Sequence, residues 1–190
     1  MGACNFSTQE NSITVGIIPT GDNDEQIEEY QFLEDWADQF VECINSFINR
    51  YNPISYLTDE IMNVKMEYGY YEGFQLYAED LDGEMGENAL DYYKEELEQE
   101  GADINQIREQ IRKLWNTVQF LLLDYAEQAG LGITAGGYCG GVQFDNVDLV
   151  RTEYKASADP ELLKAWVQYV RENVDFKPKD YTIINVEIDY

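Results

Sequence analysis

The sequence predicts an α+β domain: an antiparallel-rich sheet of about four to six strands, with two long amphipathic helices and shorter helices packed on it. Three observations predict this. Two long stretches, 22–50 and 103–129, repeat apolar residues at the i, i+3, i+4 spacing of a helix. Shorter stretches alternate apolar with polar residues at the period of a strand. The two kinds of element follow one another without a regular βαβ rhythm, which favours antiparallel pairing. At 190 residues, with no internal repeat and no linker-like stretch, the chain reads as a single domain, 1–190. Its 44% hydrophobic content supplies a core, so the high charge does not imply disorder.

Taken in order, Ser12 to Ile18 reads as a first strand ended by Pro19-Thr20-Gly21. Asp22 or Asp24 then caps a helix running to about Arg50. Its apolar stripe includes Leu33, Ala37, Phe40, Ile44, Phe47 and Ile48, and Cys43 falls on the same side as a small hydrophobe. The opposite face carries Asp24, Glu28, Gln31, Asp35, Asp38, Glu42 and Asn45. Asn52-Pro53 breaks the helix. Val64–Tyr70 and Phe74–Ala78 flank Tyr71-Glu72-Gly73 and read as a β-hairpin. The acidic stretch 79–100 holds a loop and a short helix around Asn88 to Gln99, punctuated by Gly83, Gly86 and Gly101. Asp103 caps the second long helix, whose stripe runs from Ile104 through Ile111, Leu114 and Val118 to Tyr125, with Gly130 and Gly132 as its stop. Ile133 to Phe144 reads as a glycine-rich strand or strand pair. Asp159-Pro160 opens a last helix, and Thr182 to Tyr190 alternates as a C-terminal strand.

The net charge is −26, far outside the 2–8 units of magnitude that are roughly usual for a small domain. It is regional. Residues 1–100 hold 24 acidic and 3 basic side chains, a net of −21, whereas 101–190 hold 14 and 9, a net of −5. From Asp22 to Asn49 no basic residue interrupts the helix, so the i,i+4 pairs of an ordinary surface helix are forgone. A solubility surface would spread over both halves. A specialised acidic face explains the asymmetry better.

Catalytic and cofactor chemistry finds little support. The chain has no histidine, which removes the commonest general base, the Ser-His-Asp and Cys-His systems and the usual imidazole zinc ligands. Gly130-Leu131-Gly132-Ile133-Thr134-Ala135 matches a dinucleotide fingerprint but leaves a helix and enters a strand, the reverse of the required order. Cys139 has no cation beside it in sequence to activate a thiolate. Asp80-x-Asp82-x-Glu84 opens like an EF-hand loop, but Met85 stands where the loop needs glycine. The expectation is a non-enzymatic protein with no cofactor and no metal. Three cysteines that cannot all pair, and no apolar run of membrane-spanning length or leader-like start, suggest a cytoplasmic protein. Direct binding to nucleic acid is excluded because phosphate contacts need Lys and Arg.

The surfaces that remain are acidic and aromatic. The expected partner-binding residues are Asp24, Glu28, Asp35, Asp38 and Glu42 on the first long helix. Glu79, Asp80, Asp82, Glu84, Glu87, Asp91 and Glu95 follow in the acidic stretch, with Tyr70 and Tyr71 at the hairpin. Carboxylates and tyrosines together suit basic side chains, by charge and by cation–π contact.

In charge, size and lack of catalytic residues the chain resembles the DNA-mimic inhibitors that phages and mobile elements deploy against restriction or CRISPR nucleases. Tyr71-Glu72-Gly73-Phe74 is similar to a short stretch of acidic anti-restriction proteins, and the hairpin GYYEGFQL of 69–76 resembles that of small phage proteins. The resemblance implies a stoichiometric inhibitor, acting in the host cytoplasm, that occupies the basic nucleic-acid-binding surface of a defence nuclease. The alternative is an acidic adaptor or assembly protein that binds a basic protein surface unrelated to nucleic acid.

Overall fold

A computed structural model describes the backbone of residues 13–17, 24–59, 61–68, 74–79, 87–129, 132–135, 142–143 and 155–173. Within these, side chains are described for 37–59, 61–66, 78, 88–125, 155–170 and 172. The helices are α1 (Asp24–Tyr51), α2 (Glu87–Tyr92), α3 (Lys94–Gln99), α4 (Ile104–Ala129) and α5 (Pro160–Asn173). The strands are β1 (Ile13–Ile17), β2 (Asn63–Tyr68), β3 (Phe74–Glu79), β4 (Gly132–Ala135) and β5 (Val142–Gln143).

The sheet-rich α+β architecture expected from sequence is corrected. Of the residues whose side chains are described, 74% are helical, and they include one short stretch of strand and no sheet. Elsewhere the backbone traces short strands paired antiparallel in the order β2-β3-β1-β4-β5. Of the strand residues whose side chains are described, 63–66 and 78, Val64 and Ala78 belong to the core and Met66 packs against it. The physical reason lies in the helices. Their apolar stripes meet one another, α1 packing on α4 and α5, and α4 on α5, so the described core is built largely from helix on helix, with α1 also resting on β2 and α4 on β1. The Thr182–Tyr190 strand lies outside the described residues.

Aromatic rings join the three long helices. Phe40 of α1 stacks on Tyr125 of α4 at 4.2 Å between centroids. Phe47 meets Trp166 of α5 edge-on at 5.3 Å and Tyr169 at 5.8 Å. These separations fall in the range where aromatic pairs add to simple burial. The second half of α4 is more enclosed than a single stripe allows: every residue from Thr117 to Tyr125 is buried, including Gln119 and Asp124. The run Phe120–Leu123, expected on an amphipathic helix, belongs instead to a central one, flanked by α1, α2, α3, α5, β1, β3 and β4.

The helix ends follow their sequence signals. Asp103 Oδ1 accepts the N–H groups of Asn105 at 3.0 Å and Gln106 at 3.2 Å, capping α4. Asp159 Oδ1 accepts the Glu161 N–H at 2.9 Å, while its own N–H donates to Thr117 Oγ1 at 3.0 Å, fastening the start of α5 to α4. At the end of α3, Gly101 adopts φ 76°. Its N–H reaches the Glu98 carbonyl, and the Ala102 N–H reaches that of Leu97, the paired bonds of a Schellman stop. No atom lies within 4 Å of where a Cβ would sit, so only backbone strain opposes a side chain there. Gly101→Ala is therefore expected to cost about 1–2 kcal/mol, read as a lower urea midpoint with an unchanged slope.

Candidate partner-binding surface

The α2–α3 segment is one helix interrupted at Tyr93, whose φ −95° and ψ 12° lie in the bridge region. Leu90 and Leu97 are buried, and both short helices pack on α4. That anchorage turns the remaining positions outward. Asp91, Glu95, Glu96, Glu98 and Glu100 are all exposed. Lys94 is the lone basic residue among them, and it pairs with none of the four carboxylates that follow, although Glu98 stands four residues on. Lysine N-terminal to glutamate is the weaker orientation for such a pair. Arg112 and Glu109, and Lys164 and Glu161, do form i,i+3 ion pairs, in the less acidic half of the chain.

Two aromatic side chains join this surface. Tyr92 is 81% exposed, with its ring edge-on to Tyr93 at 4.8 Å. Tyr56 is 61% exposed, and its hydroxyl donates to Glu100 Oε2 at 2.9 Å. That bond, with the charges of Glu100 and Glu96, raises the Tyr56 phenol above its ordinary range. Tyr56 is carried by a turn that Asn52 organises. The buried Asn52 side chain accepts the Ile54 N–H at 2.9 Å and donates to the Thr58 carbonyl at 2.8 Å. The loop after α1 is thereby held against the end of α3.

Of the expected partner-binding residues, Asp91 and Glu95 sit on this surface. Asp38 and Glu42 are exposed on α1, which brings Asp24, Glu28 and Asp35 onto the same stripe by helical spacing alone. α1 and α2–α3 each pack on α4, and the Tyr56–Glu100 bond links their neighbourhoods. Glu79 ends β3 and Glu87 begins α2, both described in backbone only. Tyr70, Tyr71, Asp80, Asp82 and Glu84 lie outside the described residues, as does Cys139. Among the described residues, no group of three His, Cys, Asp or Glu side chains is placed to hold a metal ion. No helix there is long and apolar enough to cross a membrane.

Sequence reasoning missed Tyr56 and did not commit to Tyr92. The signal for Tyr56 was its place just after Asn52-Pro53, where a turn exposes what it carries. One face was also misassigned. Asn45, placed with the solvent-facing polar residues of α1, is half-buried and bonded to the backbone of β2.

Cys43 is buried, and burial, then the neighbouring Glu42 charge, push its thiol up to about 12 from an ordinary 9.0. The folded state thus holds this proton more tightly than the unfolded chain does. Its contribution to stability is complete below pH 9 and is lost as pH rises toward 12. Alkylation of Cys43 at pH 8 is expected to be negligible in the native protein and rapid in denaturant, followed by mass spectrometry.

Comparison with known proteins finds no matching family model, no matching curated protein and no matching solved structure.

Proposed function

We propose that this chain is a non-enzymatic acidic binding protein that imitates nucleic acid and occupies the basic binding surface of a nucleic-acid-processing enzyme, as a phage or mobile-element inhibitor of a defence nuclease would. One observation carries the reading. Residues 95–100 place four exposed carboxylates, Glu95, Glu96, Glu98 and Glu100, along a rise of about 7.5 Å. Duplex DNA carries one negative charge per about 1.7 Å of axis, or roughly four over the same length. A groove built to bind phosphates therefore meets a comparable charge density on a rigid support. Because Glu95, Glu96 and Glu98 hold no cation of their own, engaging a partner's Arg or Lys breaks no internal ion pair.

The adaptor reading keeps one specific point in its favour, the exposure of Tyr56 and Tyr92, since tyrosine is enriched at protein interfaces. Capture from bacterial lysate with the tagged protein, repeated with excess duplex DNA, separates the two. A nucleic-acid-binding partner displaced by the duplex supports mimicry. A partner retained in its presence overturns mimicry and leaves the adaptor.

A further inference from the structure

Among the described residues two large hydrophobic side chains are exposed, Tyr56 and Tyr92, and both stand beside the α2–α3 carboxylates. Single exposed rings are ordinary. These two bracket one row. The Tyr93 N–H bonds the Ala89 carbonyl at 2.9 Å and the Leu97 N–H bonds the Tyr93 carbonyl at 3.0 Å, so i,i+4 bonding runs through the interruption at Tyr93. Tyr92, Glu96 and Glu100 stand at i, i+4 and i+8 and thereby share a face. Tyr56 closes the row at its far end. Its hydroxyl bonds Glu100 Oε2 at 2.9 Å, and the Glu96 charge acts on the same phenol. The order is ring, carboxylate, carboxylate, ring, with a rise of about 12 Å from Tyr92 to Glu100.

Carboxylates alone attract lysine and arginine alike, but rings discriminate. An ammonium is a compact, strongly hydrated charge. A guanidinium is planar and weakly hydrated, so it can lie on an aromatic face while its edge forks onto a carboxylate. Glu96 and Glu100 are also like charges at i,i+4, an unfavourable spacing that a cation between them relieves. Tyr92 is suited to be the principal anchor. At 81% exposure both faces of its ring are open, and Tyr93, itself packed against the core, braces it edge-on at 4.8 Å. A ring already held in place loses little freedom on contact.

We propose that this row selects arginine over lysine, and that the partner meets it with an arginine-rich segment. The inference rests on the proposed function for the partner's being basic, and adds which basic side chain is recognised.

Titration calorimetry with oligoarginine and oligolysine peptides of equal length tests it. Oligoarginine is expected to bind the native chain about 10-fold more tightly. Tyr92→Leu keeps an apolar side chain but no π-face, and should cut that ratio to about 3-fold or less. It removes no buried contact, so its urea midpoint should stay at the native value. Tyr56→Leu frees Glu100 for either peptide, so there the ratio of affinities is the readout, and it too should fall. Equal affinity for the two peptides, or a preference that survives Tyr92→Leu, would overturn the arginine selection while leaving a basic partner standing. Failure of both peptides to bind would sink the basic partner with it. Displacement by duplex DNA enters neither outcome, so mimicry is judged separately.

Discussion

Replacing Phe47 with alanine is expected to lower unfolding stability by about 3–5 kcal/mol, as for other large aromatic truncations in cores. Phe47 is 0% exposed, and its ring touches Tyr51 at 4.7 Å, Trp166 at 5.3 Å and Tyr169 at 5.8 Å. It therefore holds α1 against α5. Truncation forfeits the transfer energy of the ring and leaves a cavity among side chains that cannot collapse, because Trp166 is also held edge-on by Phe40. Against a typical total of about 5–15 kcal/mol, the loss is a large share of stability. Tyr92→Ala is the control: 81% exposed, it should change stability by no more than about 0.5 kcal/mol. Urea titration followed by tryptophan fluorescence reads both. A Phe47→Ala cost near that of the control would mean that the helix–helix core is not what holds the chain together.

The same ring shows where sequence reasoning reaches and where it stops. Phe47 stands on the α1 stripe at helical spacing, so its burial was legible from α1 alone, as were the caps at Asp103 and Asp159. What it packs against was not, because periodicity marks a face as apolar without naming what covers it. The sheet was overweighted for that reason. Each alternating stretch counted as a strand, while the closing of α1, α4 and α5 on one another left no trace in any single segment. Thr117, Gln119 and Asp124 are polar residues of α4, yet all three are buried, which an apolar stripe does not signal. Thr117 earns its place by a bond to Asp159, 42 residues away. Asn45 was misread for a like cause, its partner being a strand backbone 19 residues on. The acidic surface was more legible, since exposure of charged side chains needs no tertiary knowledge. Tyr56 shows its limit: the ring reaches Glu100 only because the Asn52 turn aims it there.

Charge reversal at Glu95, Glu96 and Glu98 to lysine is expected to abolish partner binding, by at least about 100-fold, while leaving the fold intact. All three side chains are exposed and hold no ion pair, so none is needed for packing. Lysine and glutamate have nearly equal helix propensity. The Schellman stop uses the Glu98 and Leu97 carbonyls, which the substitutions do not touch. The net charge falls in magnitude from −26 to −20, since each exchange adds two units, which relieves self-repulsion. Lysine at 98, near the C-terminus of α3, meets a favourable dipole, whereas Glu95 and Glu96 stand in its first turn, where the exchange is unfavourable by a similar small amount. The variant should therefore unfold at about the same urea concentration. Binding, by contrast, is lost, because three attractions become three like-charge contacts, and such juxtapositions cost several kcal/mol. Stability held and affinity lost cannot both come from a damaged fold, and that divergence makes the test decisive. Lysine at Asp38 and Glu42 is the companion variant, placing the same reversal on α1. If the α2–α3 variant binds as tightly as the native protein and the α1 variant does not, the contact face is the α1 stripe. If both bind unchanged, carboxylates do not mediate recognition, and the exposed rings of Tyr56 and Tyr92 become the surface to mutate.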